Sequence, residues 1–169
     1  MVAEAEGEQE TAAYLSLGSN LGDRRQNLEA ALRRLRETPG VRIAKVSRTY
    51  RSAAWGVEDQ PEFLNLAAEI RTTLAPRALL GVAKNIERAL GRVEGQRWGP
   101  RVIDIDILTY DRLSVEEGDL VLPHPRMAER AFVMAPLAEI APELELPDGR
   151  RAKDIASALK REQRVDADI

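Results

Sequence analysis

The chain has 169 residues, of which 44% are hydrophobic and 31% are charged, and its formal net charge is −3. This length and composition are typical of one globular domain with a substantial core. The chain has no cysteine, which excludes disulfide frameworks, thiolate zinc sites and cysteine nucleophiles. It has a single histidine, His124, which excludes a metal site built from several histidines. The sequence also lacks the glycine-rich P-loop and dinucleotide-binding motifs, so any nucleotide must be bound by another kind of site.

The amino-terminal segment predicts a disordered acidic tail over residues 1–12, followed by one domain over residues 13–169. Four glutamates lie between Ala3 and Glu10 without a bulky apolar residue, a composition that cannot build a packed core. The segment lacks the basic and apolar regions of a signal peptide, and no stretch approaches the length of a membrane span. We expect a cytoplasmic monomer that binds neither membranes nor nucleic acid.

The apolar pattern along the chain predicts the element order β-α-β-β-α-β, which is typical of a ferredoxin-like α+β fold. The predicted strands lie at residues 14–17, 41–46, 63–72 and 102–108. The predicted helices lie between Asp23 and Thr38 and between Pro76 and Gly91. We expect an antiparallel sheet with both helices on one face, the other face free for a ligand, and helical additions within residues 127–140 and 152–159. The connections 47–61 and 92–101 are long enough to be functional loops.

The fourth strand carries two aspartates on a face of their own. Isoleucines at positions 103, 105 and 107 alternate with Asp104 and Asp106, so the isoleucines share the core face and the carboxylates share the other. The carboxylates then lie roughly 6.6–7 Å apart along the strand, and such close like charges repel unless a cation lies between them. Oxygen ligands favour Mg²⁺, and two metal ions about 3.5–4 Å apart would fit. A solvated strand face with two aspartates is the alternative.

Arginines concentrate just before this strand, at positions 88, 92, 97 and 101. Guanidinium groups bind phosphate oxygens in pairs and stay charged at any working pH. Opposite a metal-bound carboxylate pair, they indicate a polyphosphate ligand. Arg88, beside Glu87 on the predicted helix, is also typical of an ordinary exposed helix end.

An aromatic ring and an amide project together from the third strand. Phe63 and Asn65 alternate with apolar positions, so both lie on the face opposite the core. A flat heterocycle could stack on the ring and form hydrogen bonds with the amide. Both tryptophans, Trp55 and Trp98, precede glycines in predicted loops, where core packing rarely requires them. The combination favours a site for a flat ring and a polyphosphate over a half-covered sheet face.

Four motifs occur together and in a fixed order between residues 14 and 149. They are Leu17-Gly18-Ser19-Asn20-Leu21-Gly22-Asp23, Asp59-Gln60-Pro61-Glu62-Phe63-Leu64-Asn65, Arg97-Trp98-Gly99-Pro100-Arg101 with Asp104-Ile105-Asp106, and Pro123-His124-Pro125-Arg126. Together they resemble the 6-hydroxymethyl-7,8-dihydropterin pyrophosphokinase family of the folate pathway. The resemblance implies a ferredoxin-like enzyme that transfers the β,γ-pyrophosphoryl group of ATP to the hydroxymethyl oxygen of the pterin and releases AMP.

The resemblance also implies roles for individual residues. Asp104 and Asp106 would hold two Mg²⁺ ions, and with Arg92 and Arg101 they would form the catalytic set. The residues implied for pterin binding are Gly18, Ser52, Ala53, Trp55, Phe63, Asn65 and Phe132. The residues implied for ATP binding are Glu87, Arg92, Trp98, Arg101, His124 and Arg130.

Two other classes of protein share parts of this pattern. A two-metal nucleotidyl transferase or cyclase with a palm-like sheet would also use strand carboxylates, but its product would retain the α-phosphate. An RNA-recognition module shares the β-α-β-β-α-β order and uses a basic sheet with exposed aromatic residues. The two aspartates on the predicted sheet face would repel RNA, and the release of AMP would separate the pyrophosphokinase from both alternatives.

Overall fold

The computed structural model describes residues 9–52, 62–91 and 101–168. Its strands are β1 (Thr11–Ser19), β2 (Val41–Val46), β3 (Thr49–Ser52), β4 (Phe63–Thr72), β5 (Asp104–Tyr110), β6 (Val115–Glu117), β7 (Leu120–Leu122) and β8 (Val165–Asp168). Its α-helices are α1 (Arg24–Arg36), α2 (Pro76–Ala89), α3 (Ala131–Ile140) and α4 (Ala152–Lys160). A short 3-10 helix, Met127–Glu129, precedes α3.

The main sheet is antiparallel and has the strand order β5-β1-β4-β3-β8. Strand β2 pairs with the same edge of β4 as β3 does, further along that strand. Ser47 joins the two pairings, because its amide donates to the carbonyl of Ala67 and its hydroxyl accepts from the amide of Ala67, both at 2.9 Å. The β5-β1-β4-β2 order and the β-α-β-β-α-β connectivity confirm the ferredoxin-like fold class.

Helices α1 and α2 form where their caps and apolar stripes predict them. Asp23 caps α1 through its carboxylate, which accepts from the amide of Gln26 at 3.1 Å, and Pro76 opens α2, a position that suits its fixed φ angle. The apolar stripe of α1 is buried through Leu28, Ala31, Leu32 and Leu35. Together the two helices cover the sheet face that carries the leucines and isoleucines of β1, β4 and β5.

The two predicted helices share one face, as expected, but the second face of the sheet is also partly covered, which corrects the expectation that this face is free for a ligand. Helices α3 and α4 pack there against Ala67 and Leu108 and build a second core. Seven of the ten residues of α3 are buried, because a helix that is apolar on all sides must be covered on all sides. Within the described ranges, no helix has both the length and the apolarity that a membrane crossing requires.

Helix α3 is fastened to the sheet through a polar contact at Glu139. Its carboxylate accepts from the amide of Arg48 at 3.0 Å, from the guanidinium of Arg48 at 3.1 Å and from the hydroxyl of Tyr50. Burial raises the pKa of Glu139, but these hydrogen bonds outweigh burial and hold the pKa below its ordinary value. The network therefore fixes α3 over β3.

Three boundaries differ from the sequence-based expectations. Strand β1 begins at Thr11, inside the segment 1–12 that was expected to be a tail, because Thr11 and Ala12 pair with Thr72 and Arg71 of β4. Strand β3 lies in the predicted connection 47–61, and β8 was not predicted. Both short strands exist through pairing with their neighbours, which outweighs a weak local preference.

The Glu139 contact predicts a pH-dependent contribution to stability. Because the folded-state pKa of Glu139 is lowered, the contribution is present at neutral pH and disappears as the pH falls through and below the ordinary carboxyl range of about 4. Glu139→Gln should lower the free energy of unfolding by about 1 kcal/mol at pH 7. Urea denaturation should show that difference shrinking at pH 4 and below. Glu29→Gln on the exposed side of α1 is the control, and an equal loss at all pH values would contradict the assignment.

Candidate active site

Backbone pairing aligns three predicted site residues in one row across the sheet. Asp104 of β5 lies opposite Gly18 of β1, and Gly18 lies opposite Asn65 of β4. Directly paired residues share a face of the sheet, so the carboxylate and the amide stand on the same side with only a glycine between them. In the next row Asp106 lies opposite Ser16. The centre of this face is therefore lined by small residues and flanked by polar groups.

Gly18 is required by the position of the Asn65 side chain. A Cβ atom at residue 18 would lie 2.7 Å from Oδ1 of Asn65 and 3.5 Å from a ring carbon of Phe63. The amide and the aromatic ring thus lean together over the glycine. Asn65 is buried, and its Nδ2 donates to the hydroxyl of Ser52 at 2.8 Å. The predicted shared face of Phe63 and Asn65 is confirmed.

The two aspartates lie on the open part of the same face. Ile103, Ile105 and Ile107 are buried in the first core, while the side chain of Asp104 remains 33% exposed and Asp106 is half-buried. Nη1 of Arg101 lies 3.2 Å from Oδ1 of Asp104. The predicted alternation is confirmed, and Arg101, which was predicted beside this strand, contacts Asp104.

Asn20 holds Arg101 in this position, a role that the sequence analysis missed. The amide of Arg101 donates to Oδ1 of Asn20 at 2.7 Å, and the amide of Asn20 donates to the carbonyl of Arg101 at 3.0 Å. Asn20 is fully buried. Its place in the Gly18–Asp23 turn was the available signal, but the partner lies 81 residues away.

Glu87 occupies a buried position at the outer edge of β5. Its Oε2 accepts from the backbone amide of Ile105 at 2.7 Å, so the carboxylate binds the strand between the two aspartates. This contact joins α2 to β5 and explains why a glutamate is buried on an apolar helix face. The predicted contact of Glu87 with ATP stays a prediction.

His124 lies beside Asp106. Its amide donates to the carbonyl of Leu108 at 2.8 Å, and its Nδ1 accepts from the amide of Arg126 at 3.2 Å. Burial lowers the pKa of His124, and the nearby Asp106 opposes this only in part. A neutral imidazole that accepts at Nδ1 carries its proton on Nε2, so the ring can donate one hydrogen bond there.

The remaining described site residues lie around α3. The guanidinium of Arg130 stands over the ring of Phe132, 5.6 Å from its centroid, a cation–π arrangement. Phe132 is half-buried against the second core, on the sheet face that carries Asn65. Four predicted site residues lie outside the described ranges. They are Ala53, Trp55, Arg92 and Trp98.

The described part of the site offers two carboxylates to a metal ion. Among the described residues, no three His, Cys, Asp or Glu side chains are grouped closely enough to hold a metal ion. Asp104 and Asp106 provide carboxylate oxygens from one strand face. Mg²⁺ is usually bound by one or two carboxylates while phosphate oxygens and water complete its shell, so this pair fits Mg²⁺ together with a phosphate substrate.

Comparison with known proteins identifies relatives over most of the chain. The family model described as 7,8-dihydro-6-hydroxymethylpterin-pyrophosphokinase matches residues 14–142. A 2-amino-4-hydroxy-6-hydroxymethyldihydropteridine pyrophosphokinase of Methylorubrum extorquens is 54% identical over 134 residues, which cover 79% of this chain and 85% of that protein. The protein of the same name from Bacillus subtilis is 49% identical over 133 residues, covering 79% and 80%.

A solved structure shows the same fold at lower sequence identity. A crystal structure of an HPPK-DHPS in complex with substrates matches with a TM-score of 0.72 and 14% identity. The match covers 89% of this chain and 43% of the other chain. At this identity the likeness supports the fold alone, and it agrees with the ferredoxin-like arrangement of the sheet.

The contact between Asn20 and Arg101 predicts a local effect on the site. Asn20→Ala would leave the amide of Arg101 without its buried acceptor, at a cost of about 1–3 kcal/mol in the free energy of unfolding. Hydrogen exchange should show loss of protection at the Arg101 amide, and chemical denaturation should show the loss of stability. Asn85→Ala on the exposed side of α2 is the matched control. Unchanged protection at Arg101 would mean that Asn20 does not hold it.

Proposed function

This chain belongs to the 7,8-dihydro-6-hydroxymethylpterin-pyrophosphokinase family, and we propose which of its residues carry the reaction of that family. The protein transfers pyrophosphate from ATP to 6-hydroxymethyl-7,8-dihydropterin for folate biosynthesis. The observation that carries the residue assignment is the row of Asp104, Gly18 and Asn65 across the sheet. This row places a carboxylate suited to a metal-bound phosphate and an amide suited to a heterocycle on the same face of the sheet.

The pterin is assigned to the part of the face around Gly18. Because Gly18 has no Cβ atom, the ring of Phe63 and the amide of Asn65 can lie together over the backbone there. A pterin is planar and has adjacent hydrogen-bond donors and acceptors along one edge, so it can stack on the ring and pair with the amide. Phe132 on α3 supplies a second aromatic surface for this proposal. The roles of Ser52, Ala53 and Trp55 rest on the family resemblance.

The triphosphate is assigned to the part of the face around β5. Asp104 and Asp106 would hold two Mg²⁺ ions together with phosphate oxygens. When bound, the ions neutralise the charge that develops on the transferring group. Arg101 already contacts Asp104 at 3.2 Å, so its guanidinium can bind phosphate oxygens at the same place. The family resemblance adds Arg92, Trp98, Glu87, His124 and Arg130 as residues around ATP.

The chemistry is an in-line transfer between these two halves of the face. The pterin hydroxymethyl oxygen attacks the β-phosphorus, the hydroxyl gives up its proton, and the bond from the β-phosphorus to the α,β-bridging oxygen breaks to release AMP. Such transfers depend mostly on positioning and electrostatic stabilisation. The rigid pairing of β1 with both β4 and β5 supports that requirement, because it fixes the distance between the two substrates.

The two alternative classes find less support. A nucleotidyl transferase would leave the α-phosphate on its product, whereas the curated relatives are named pyrophosphokinases. An RNA-recognition module would present a basic sheet face, but β5 presents Asp104 and Asp106 on that face. Family membership and the charge of the face therefore both favour the pyrophosphokinase.

The metal assignment is tested with Asp104→Asn and Asp106→Asn. Each change keeps the side-chain shape but removes a charged ligand, so AMP formation should fall by about 100-fold or more. Calorimetric titration with α,β-methylene ATP should also lose its dependence on Mg²⁺ concentration, a readout independent of turnover. Asp111→Asn is the control, since Asp111 lies just beyond β5 at a φ of 52°, which asparagine tolerates. Near-normal activity of either site variant would refute the assignment.

The pterin assignment is tested with Phe63→Ala and Asn65→Ala. The first change removes stacking worth about 0.5–1.5 kcal/mol beyond area burial. The second change leaves polar atoms of the pterin unpaired at a cost of about 1–3 kcal/mol. Pterin affinity measured by titration should fall for both variants, while the affinity for α,β-methylene ATP should stay unchanged. Equal losses for the two ligands would mean that the halves of the face are wrongly assigned.

A further inference from the structure

The carboxyl-terminal strand β8 lies beyond residues 14–142, the segment that the family model matches. It extends the main sheet along the free edge of β3, with Tyr50 opposite Ala167 and Ser52 opposite Val165. Strand β3 has only four residues and ends beside the proposed pterin-binding part of the face. Without β8, this short strand would pair on one side only.

Asp168 fastens β8 to two different elements. Its carboxylate forms ion pairs with Arg25 of α1 and, at 3.8 Å, with Arg51 of β3. Its carbonyl accepts from the hydroxyl of Thr49 at 3.2 Å. Three contacts from one residue thus hold the end of β8 against the beginning of β3 and against the first turn of α1.

The other end of β3 leads directly to the site. Ser52 pairs with Phe63 on one side and with Val165 on the other. Its hydroxyl accepts the hydrogen bond from Nδ2 of Asn65 at 2.8 Å, and both residues are buried. A hydrogen bond between two buried side chains fixes the orientation of the amide, so the position of β3 determines which way the Asn65 amide faces.

We propose that β8 positions the pterin-reading amide of Asn65 by holding β3 in register, with Asp168 as the positioning residue. The proposal rests on the proposed role of Asn65. Asp168 does not touch a substrate in this scheme. It acts through β3, because a short strand with two neighbours frays less than one with a single neighbour. The effect should therefore fall on pterin binding and spare ATP binding, which is assigned to β5 at the opposite edge of the sheet.

The test uses a chain that ends after Arg164 and, separately, Asp168→Asn in the full chain. The truncation retains Gln163, whose side chain accepts from the amide of Ala131 and donates to the carbonyl of Glu129. Titration with 6-hydroxymethyl-7,8-dihydropterin in the presence of α,β-methylene ATP should show Kd raised by about threefold to tenfold. The affinity for α,β-methylene ATP alone should be unchanged, and the amides of Tyr50 to Ser52 should exchange hydrogen faster.

Asp166→Asn is the matched control. It removes the same charge from the same strand, but among the described residues the carboxylate of Asp166 forms its ion pair with the nearby Arg164, whose side chain is 90% exposed. Pterin affinity should stay at the wild-type value. A loss equal to that of Asp168→Asn would show that net charge, and not the fastening of β8, is responsible, and would overturn the proposal.

A second comparison separates this proposal from the proposed function. If β8 acts through Asn65, the truncation should cause no further loss of pterin affinity in the Asn65→Ala background. If Asn65→Ala alone leaves pterin binding unchanged, the role of Asn65 fails, and the positioning role fails with it. If Asn65→Ala weakens binding but the loss of β8 does not, only the positioning role fails. Equal loss of pterin and ATP affinity on truncation would also overturn it.

Discussion

The site depends on the register in which β1 pairs with its two neighbours. Because Gly18 lies opposite both Asp104 and Asn65, the carboxylate, the bare backbone and the amide form one row. A shift of a single residue would turn β5 or β4 over and send the polar side chains into the core. The large side chains of the first core, such as Leu15, Leu17 and Ile105, oppose that shift. Hydrophobic burial therefore specifies the geometry of a polar site.

Helices on both faces divide the sheet into a covered half and an open half. Along β5 the same face carries Asp104, Asp106 and then Leu108, and only Leu108 lies in the second core. Along β4 the open part of the face ends between Asn65 and Ala67, because Ala67 lies in the second core. Helix α3 ends the open region there, and Glu139 fixes the helix over β3. The extent of the candidate site is thus set by where the second core begins.

The sequence predicted the elements whose own pattern is strong. Three such patterns are confirmed, and each is visible within a few neighbouring residues. They are the alternation of isoleucine and aspartate in β5, the apolar stripe of α1 and the alternating residues of β4. Strand β8 was missed because Val165–Asp168 contains two aspartates, which are poor strand formers, and it exists through pairing with β3. The contacts that Asn20 and Glu87 make in the fold were missed for a related reason: their partners are backbone amides 81 and 18 residues away, and local patterns do not encode such contacts.

The polar groups of the outer strands also affect whether this sheet can associate with strands of another chain. An unpaired strand edge is a template for association with another chain. On β5 the amide of Ile105, on the strand edge that faces away from β1, donates to the carboxylate of Glu87. Strand β2 carries Lys45 beside a register shift, and β8 presents aspartates along its length. Irregular pairing and charge at strand edges discourage growth of the sheet. A sheet that keeps half of one face open for substrates is thereby guarded against fibril-like stacking of strands.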